Sequence, residues 1–308
     1  MSLRILEGGL FTTVQDLGRH GHQRLGVPPS GALDPVSLRT ANMILGNPPG
    51  MAALEMCRFG GTLEVEAESV RVALAGADAA SELPLLRSRT LRRGETLRIG
   101  RIAGGALYLA VEGGFALKPV LGSLSTYTRA GFGGLHGGRL QPGDVLPLAL
   151  SAAPRRRERA LPHPVPAGRD RPLRVILGPQ AGHFTEGAID ALLSAAFSVT
   201  TEADRMGLRL SGPLLTHSGA PEIASDGNAT GCLQVPGNGQ PIVLLPDRHT
   251  TGGYPKIATV ITADLHRLGQ SVPGTVLRFE AVAPEQARVA LARLESAMAG
   301  LEALLREA

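Results

Sequence analysis

The sequence contains no tryptophan, and aromatic residues make up only 3% of its 308 positions. A core without large rings has to be assembled from Leu, Val, Ile and Ala. The same shortage argues against nucleic-acid binding, which draws on aromatic platforms beneath the bases. Cys57 and Cys232 are the only cysteines, too few for a disulfide framework. Lysine is as scarce, with Lys118 and Lys256 alone. No apolar run approaches the roughly 20 residues of a membrane-spanning helix. Residues 1–9 carry no apolar signal core, so the cytoplasm is the expected location and no membrane partner is expected. Charged residues are only 19% against 43% hydrophobic, which excludes global disorder and leaves material for a sizeable core.

Glycine (40) and proline (23) are what the chain has in excess. Scattered without a collagen-like period, they mean many tight turns, and turns suit a mainly β fold with a few helices. The net charge of +4 is carried almost wholly by arginine. Two explanations stand: a genome that favours arginine, or anion binding by the planar guanidinium fork.

The composition breaks once. Arg155-Arg156-Arg157-Glu158-Arg159 and prolines 154, 162, 164, 166 and 172 form a polar, extended stretch, read as a solvated linker, with docking of an acidic partner as the rarer alternative. This places one domain at 1–155, a linker at 156–172 and a second domain at 173–308. Short strand-like runs recur at 61–67, 70–75, 97–102 and 107–111, then at 173–177, 240–245, 257–261 and 276–279. Leu63, Val65 and Ala67 alternate with Glu64, Glu66 and Glu68, the period of a half-buried strand. Such spacing predicts barrels or sandwiches. Pro142-Gly143-Asp144-Val145-Leu146 echoes Pro273-Gly274-Thr275-Val276-Leu277, each a turn feeding a strand. Helices are expected after Asp34 with Pro35 at the first position, after Thr185, and from Pro284, where Ala287, Ala290, Leu291, Leu294, Met298, Leu301 and Leu305 share a face.

Five loops concentrate chemistry. The first holds Thr12, Thr13, Gln15, Asp16, Gly18 and Arg19, then Ser30 and Asp34; it is a capped surface loop or a ligand loop. The second, 127–139, has glycines at 131, 133, 134, 137 and 138 between Arg129 and Arg139. Its backbone N–H groups can converge on an anion, or it is a hairpin tip. It is neither a Walker loop nor a dinucleotide fingerprint. The third runs from Ser225-Asp226-Gly227 to Gln234 and Pro241. The fourth, Asp247-Arg248-His249-Thr250-Thr251-Gly252-Gly253-Tyr254-Pro255-Lys256, sets one rare lysine beside hydroxyls and a carboxylate. In the fifth, Arg205 and Arg209 either clamp an anion or pair with Asp204 and Glu202. The eight histidines form no zinc pattern, so no metal site is expected, and no nucleophile elbow occurs.

These segments (12–19, 26–34, 41–47, 131–144, 204–213, 234–241 and 247–260) resemble the allophanate hydrolase subunit 2 family, also called the biotin-dependent carboxyltransferase family, over about residues 3–283. The resemblance implies two cyclophilin-like β-barrel domains. It implies work within a hetero-oligomer, beside a kinase-inhibitor-like B component and a further A component. For the stand-alone bacterial form it implies ATP-dependent opening of 5-oxoproline to L-glutamate, as the C component of 5-oxoprolinase. The alternatives are a carboxyltransferase acting on urea or a similar amide with a biotin-carrier partner, and a non-catalytic antagonist of a histidine-kinase inhibitor. ATP with Mg is the expected cofactor set, at the partner interface; neither lysine sits in a biotin-acceptor turn, so no biotin is expected on this chain. By chemistry, Asp16, Lys256 and Asp247 are the catalytic candidates. Gln15, Arg19, Ser30, Asn42, Arg205, Gln234, Arg248, Thr250 and Thr251 are substrate-binding candidates, and Arg129, Gly131, Gly133, Gly134 and Arg139 phosphate-binding candidates.

Overall fold

A computed structural model describes residues 1–165, 168 and 170–308. The chain gathers into two compact units. One comprises Met1–Arg19, Ser30–Pro166 and Ala297–Ala308; the other comprises His20–Pro29 and Ala167–Ser296. Each unit includes a short segment remote in sequence from its bulk. Of the expected linker, residues 166, 167 and 169 lie outside the described residues.

In the first unit, Ser2–Glu7 (β1), Phe11–Gln15 (β2), Ala53–Val65 (β3), Ser69–Ser81 (β4), Ser88–Arg92 (β5), Thr96–Val111 (β6) and Val145–Pro147 (β7) form one sheet. The order is β5-β4-β6-β3-β1-β7, with β2 also on β3. Every pairing is antiparallel. Leu63, Val65 and Ala67 are buried as their alternation predicts. The runs expected as separate strands at 97–102 and 107–111 are one strand, β6. Glycine between them marks a bend, not a turn: Gly104 has φ +111°, and the pairing with β3 and β4 shifts register alongside it. Such shifts let long strands curl around a core. That core contains Leu54, Leu74, Ile99 and Leu109.

Pro35–Leu45 (α1) packs against β4 and β6. Asp34 caps it, accepting from the Ser37 N–H at 2.9 Å, and Gly46 ends it at φ +70°. Both roles follow from residue type. The arginine run is not wholly the solvated face expected of it. Arg156 donates to Glu112 (2.9 Å) and to the Leu45 carbonyl (2.9 Å). Glu158 accepts from Ser88 and Thr90, and it neighbours the buried Arg71, which also holds Glu112 at 2.6 Å. The reason is Arg71: a buried guanidinium needs acids and carbonyls around it, and this stretch supplies them. Arg159–Ala160 (β8) then pairs with Arg306–Glu307 near the C-terminus.

The second unit contains Leu173–Leu177 (β9), Phe197–Val199 (β10), Gly207–Ser211 (β11), Asp226–Gly227 (β12), Cys232–Gln234 (β13), Ile242–Leu244 (β14), Thr251–Gly252 (β15), Lys256–Val260 (β16), Val276–Leu277 (β17) and Phe279–Ala281 (β18). Eight of them form a sheet in the order β17-β10-β11-β14-β13-β16-β9-β18, while β12 and β15 make a separate two-stranded ribbon. The run at 276–279, expected as one strand, is divided at Arg278. Leu277 pairs with Phe197 and Phe279 with Leu173, on opposite margins of the sheet. Since only Arg278 separates the two margins, the sheet returns on itself as a nearly closed barrel, which removes exposed edges. Phe197, Leu233, Val243, Ile257 and Phe279 are buried in this unit.

Thr185 caps Glu186–Ser194 (α2) as expected, and Leu265–Gly269 (α3) follows β16. Pro284–Glu302 (α4) sets Ala287, Ala290, Leu291 and Leu294 against Ile261 and Ala263. The sequence echo is real at the local level. Gly143 and Gly274 have φ +91° and +89°, and the Val after each turn is exposed while the Leu is buried. Among the described residues no helix is long and apolar enough to cross a membrane.

Candidate functional site

The first unit engages most of its predicted residues internally. Asp16 accepts from the Gly18 N–H (2.7 Å), Ser123 Oγ (2.6 Å), Ser125 Oγ (2.5 Å) and the Leu124 N–H (2.6 Å). Its carboxylate therefore ties the loop at 123–125 to the end of β2. Asn42, fully buried, donates to the Met51 carbonyl and accepts from Asn47, which also reaches the Val111 carbonyl. It braces the end of α1. Arg19 donates to the carbonyls of Ser125 and Val120, and its guanidinium lies 4.9 Å from the centre of the Phe132 ring.

The glycine loop is built for close backbone approach. A Cβ at Gly133 would stand 2.0 Å from the Ser125 carbonyl oxygen, and one at Gly134 would stand 2.1 Å from Thr126 Oγ1. The N–H groups of Gly131, Gly134 and Gly137 donate to the carbonyls of Tyr127, Leu124 and Gly133. Those amides are thus not the converging anion nest that the glycine spacing suggested. Arg129 and Arg139 are exposed beside the loop, Arg139 reaching the Leu10 carbonyl at 3.4 Å.

Two predicted residues of this unit keep a polar atom in reserve. Gln15 is fully buried and donates to Thr13 and to the Thr126 carbonyl, yet its Oε1 has no partner among the described residues. Ser30, buried at φ +53°, likewise leaves its Oγ unpartnered. Buried polar atoms are nearly always satisfied, and a non-glycine residue in the left-handed region is uncommon. The sequence pattern gave no hint of a neighbouring buried carboxylate. Glu55 accepts from Tyr108 Oη (2.5 Å) and the Leu33 N–H (2.8 Å). Burial, with Glu55 beside it, holds the Tyr108 phenol well above its usual range. A lone Glu inside a strand pattern carries no signal of this kind.

In the second unit the fourth and fifth motifs meet. Arg205 holds Asp247 in a two-pronged buried pair, Nε to Oδ2 at 2.8 Å and Nη2 to Oδ1 at 3.2 Å. Arg209 turns elsewhere and pairs with Glu202 at the surface, so the two arginines do not clamp one anion.

Around Lys256 the third and fourth motifs converge. Lys256 Nζ donates to Asp226 Oδ2 at 2.9 Å; the lysine side chain is 3% exposed and the aspartate 52%. Gln180 joins them, donating to Asp226 Oδ2 (3.2 Å) and accepting from the Lys256 N–H (3.3 Å). The hydrogen bond from Lys256, then that from the Gly227 N–H, holds the Asp226 carboxyl below the usual range. Gln234 lies opposite Lys256 across β13 and β16 and donates to Asn228 Oδ1 at 3.0 Å. The β12–β15 ribbon covers these amides closely: a Cβ at Gly252 would stand 2.8 Å from Gln234 Nε2 and 2.9 Å from Asn228 Nδ2. Thr251 is exposed on this ribbon, and Thr250 just before it is buried.

Arg248 is also buried. It donates to the Asn228 carbonyl (3.1 Å), Thr230 Oγ1 (2.8 Å) and Gln23 Oε1 (3.1 Å). No acid pairs with it among the described residues, and burial pulls its guanidinium below the usual range. Asp226, Asn228, Gln180 and Gln23 complete this cluster, and only Asp226-Gly227 had a local signal, that of a turn. Among the described residues no group of three or more His, Cys, Asp or Glu could hold a metal ion.

Residues 25–281 match the family model described as "Carboxyltransferase domain, subdomain A and B". The chain is 37% identical to the C component of 5-oxoprolinase from Escherichia coli strain K12, over 92% of this chain and 93% of that protein. It is 30% identical to urea amidolyase of Saccharomyces cerevisiae over 93% of this chain, which spans only 17% of that protein. The solved structure of K. lactis urea amidolyase matches with a TM-score of 0.87 at 26% identity, over 97% of this chain and 20% of that one.

Proposed function

This chain belongs to the carboxyltransferase domain family, and we propose that it works as the C component of an ATP-dependent 5-oxoprolinase. In this reading it opens 5-oxoproline to L-glutamate in the cytoplasm, together with a kinase-inhibitor-like B component and an A component. The observation that carries the reading is the match with the C component of Escherichia coli 5-oxoprolinase, over 92% of this chain and 93% of that protein. A second reading, transfer of a carboxyl group to urea or a similar amide, draws on the likeness to urea amidolyase.

A lactam carbonyl is a poor electrophile, and phosphorylation of its oxygen makes it a good one. Such a step needs a positioned amide and cationic groups where charge spreads. Lys256 is the catalytic candidate best suited to this. Its ammonium is held by a half-exposed carboxylate that an anionic ligand can replace. Gln234 lies beneath the same ribbon and Arg248 and Thr250 immediately precede its second strand, while Asp247 and Asp16 act by holding their loops in place. Gln15 and Ser30 retain an acceptor and a hydroxyl for a ligand. ATP with Mg is assigned to the assembled complex, since the glycine loop engages its own amides.

Reconstitution with the A and B components tests this. ATP-dependent release of glutamate from 5-oxoproline is the expected outcome. Lys256→Ala should reduce kcat/KM about 100-fold or more, as loss of one preorganised cation does, while the chain stays folded. A correctly assembled complex without turnover overturns the reading, and full turnover by Lys256→Ala removes the role given to that lysine.

A further inference from the structure

Gln23 belongs by sequence to the N-terminal region but lies in the second unit. It sits on the one-turn helix Gln23–Leu25, which has no buried residue. Gly21 at φ +90° and Gly26 at φ +78° bound this turn. Within the turn, Leu25 and Gly26 donate back to His22 and Gln23. The Gln23 side chain ties the turn to the rest of the unit through both polar atoms of its carboxamide. Its Oε1 accepts from Arg248 Nη2 at 3.1 Å. Its Nε2 donates to the Asn228 carbonyl at 2.8 Å and the Thr250 carbonyl at 3.2 Å.

The slot therefore presents one cationic donor beside two carbonyl acceptors. That pattern has a narrow set of complements. A carboxylate would satisfy Arg248 but set an oxygen against two carbonyl oxygens. An amine would satisfy the carbonyls and repel the guanidinium. A group with C=O and N–H on the same edge complements all three; primary amides, ureas and ring lactams have that edge, as do cyclic imides and other cis amides. Arg248 is 3% exposed and Asn228 2%, so the slot is built from buried groups, whereas its occupant rides on a surface turn. A buried guanidinium surrounded by neutral groups is costly to maintain. A ligand whose oxygen gains negative charge during reaction would recover that cost.

We propose that the slot filled by the Gln23 carboxamide is a recognition site for amides of the lactam and urea class, and that Gln23 is its displaceable resident. Arg248 Nη2 reads the substrate carbonyl oxygen, and the Asn228 and Thr250 carbonyls read its N–H. The turn at 23–26 must lift for substrate to enter, so the resident amide competes with it. The assignment rests on the functional reading above only for the identity of the substrate; the slot itself selects the amide edge.

Ligand-observed NMR on the full chain tests the proposal, with 2-pyrrolidinone and γ-butyrolactone as probes. The two rings match in size and carbonyl, but the lactone lacks the N–H. Binding of the lactam without the lactone is expected. Gln23→Ala should tighten lactam binding about tenfold if the resident occupies the slot about nine-tenths of the time, and Arg248→Met should abolish it. Equal binding of both rings, no binding of the lactam to either the wild-type chain or a folded Gln23→Ala chain, or no gain on removing Gln23, overturns the proposal. If the lactam binds as expected while the assembled complex fails to turn over 5-oxoproline, the slot stands and the 5-oxoprolinase reading falls. Turnover without N–H-dependent binding removes the slot and leaves the 5-oxoprolinase reading standing.

Discussion

Arg19 in the first unit and Arg248 in the second are both buried arginines that donate to backbone carbonyls, yet their surroundings differ in kind. Around Arg19 the loop is closed: the Phe132 ring covers the guanidinium, and a Cβ at Gly133 would lie 2.8 Å from its Nη2. Around Arg248 one contact comes from Gln23, a half-buried residue on an exposed turn. The glycines follow the same division. Those at 133 and 134 admit the protein's own backbone and side chains, whereas Gly252 admits the carboxamides of Gln234 and Asn228 beside Lys256. One glycine-rich region is a clasp and the other has the makings of a site. Glycine content alone does not separate the two.

Substitutions can break that comparison. The largest loss of stability is expected from Arg205→Leu, which leaves Asp247 buried without its partner. The expected cost is about 3–5 kcal/mol, read by chemical denaturation, and adding Asp247→Leu should restore most of it. If Arg205→Leu instead left stability intact and abolished turnover, the pair would belong to the chemistry. Next, Asp16→Ala removes four hydrogen bonds to one carboxylate. A loss of about 3 kcal/mol, with faster proteolysis of the loop at 123–125, would mark it as a brace.

Acid should act more mildly on the first unit. Burial works to raise the Glu158 carboxyl, but hydrogen bonds from Ser88 and Thr90 and the Arg71 charge outweigh it and hold it below its ordinary range. The unfolded chain therefore takes up that proton first as pH falls. The stability Glu158 contributes is complete above the ordinary carboxylate range and is lost as pH drops through the lower, folded value. Melting temperatures taken from pH 6 down to pH 3 should fall less steeply in Glu158→Gln. The smallest effect is expected from replacing Arg129 and Arg139 together by alanine. Both are exposed, so stability should change by no more than about 0.5 kcal/mol. A large rise in the KM for ATP in the assembled complex would return the glycine loop to phosphate binding.

Much of the local structure was legible in the sequence because single residues carry it. Asp34-Pro35 opens α1, Gly46 ends it, Thr185 opens α2, and the Leu63, Val65 and Ala67 alternation marks a half-buried strand. The strand bounds were less legible where a glycine bends a strand instead of ending it, as at Gly104. Candidate residues were found by type, but type does not say whether a polar atom is engaged. Asp16, Asn42 and Gln15 looked alike in the sequence, and only Gln15 keeps an unpartnered atom.

By itself, then, the sequence determined a β-rich chain with an aliphatic core, the positions of its caps and turns, and its family, since these depend on neighbours along the chain. Tertiary structure alone decided that Lys256 meets Asp226 across 30 positions and that Gln23 meets Arg248 across 225. It also decided that a run of arginines would be drawn onto Arg71. The physical reason is common to all three: a buried charge must find partners wherever the fold brings them, and sequence spacing places no limit on how far along the chain those partners lie.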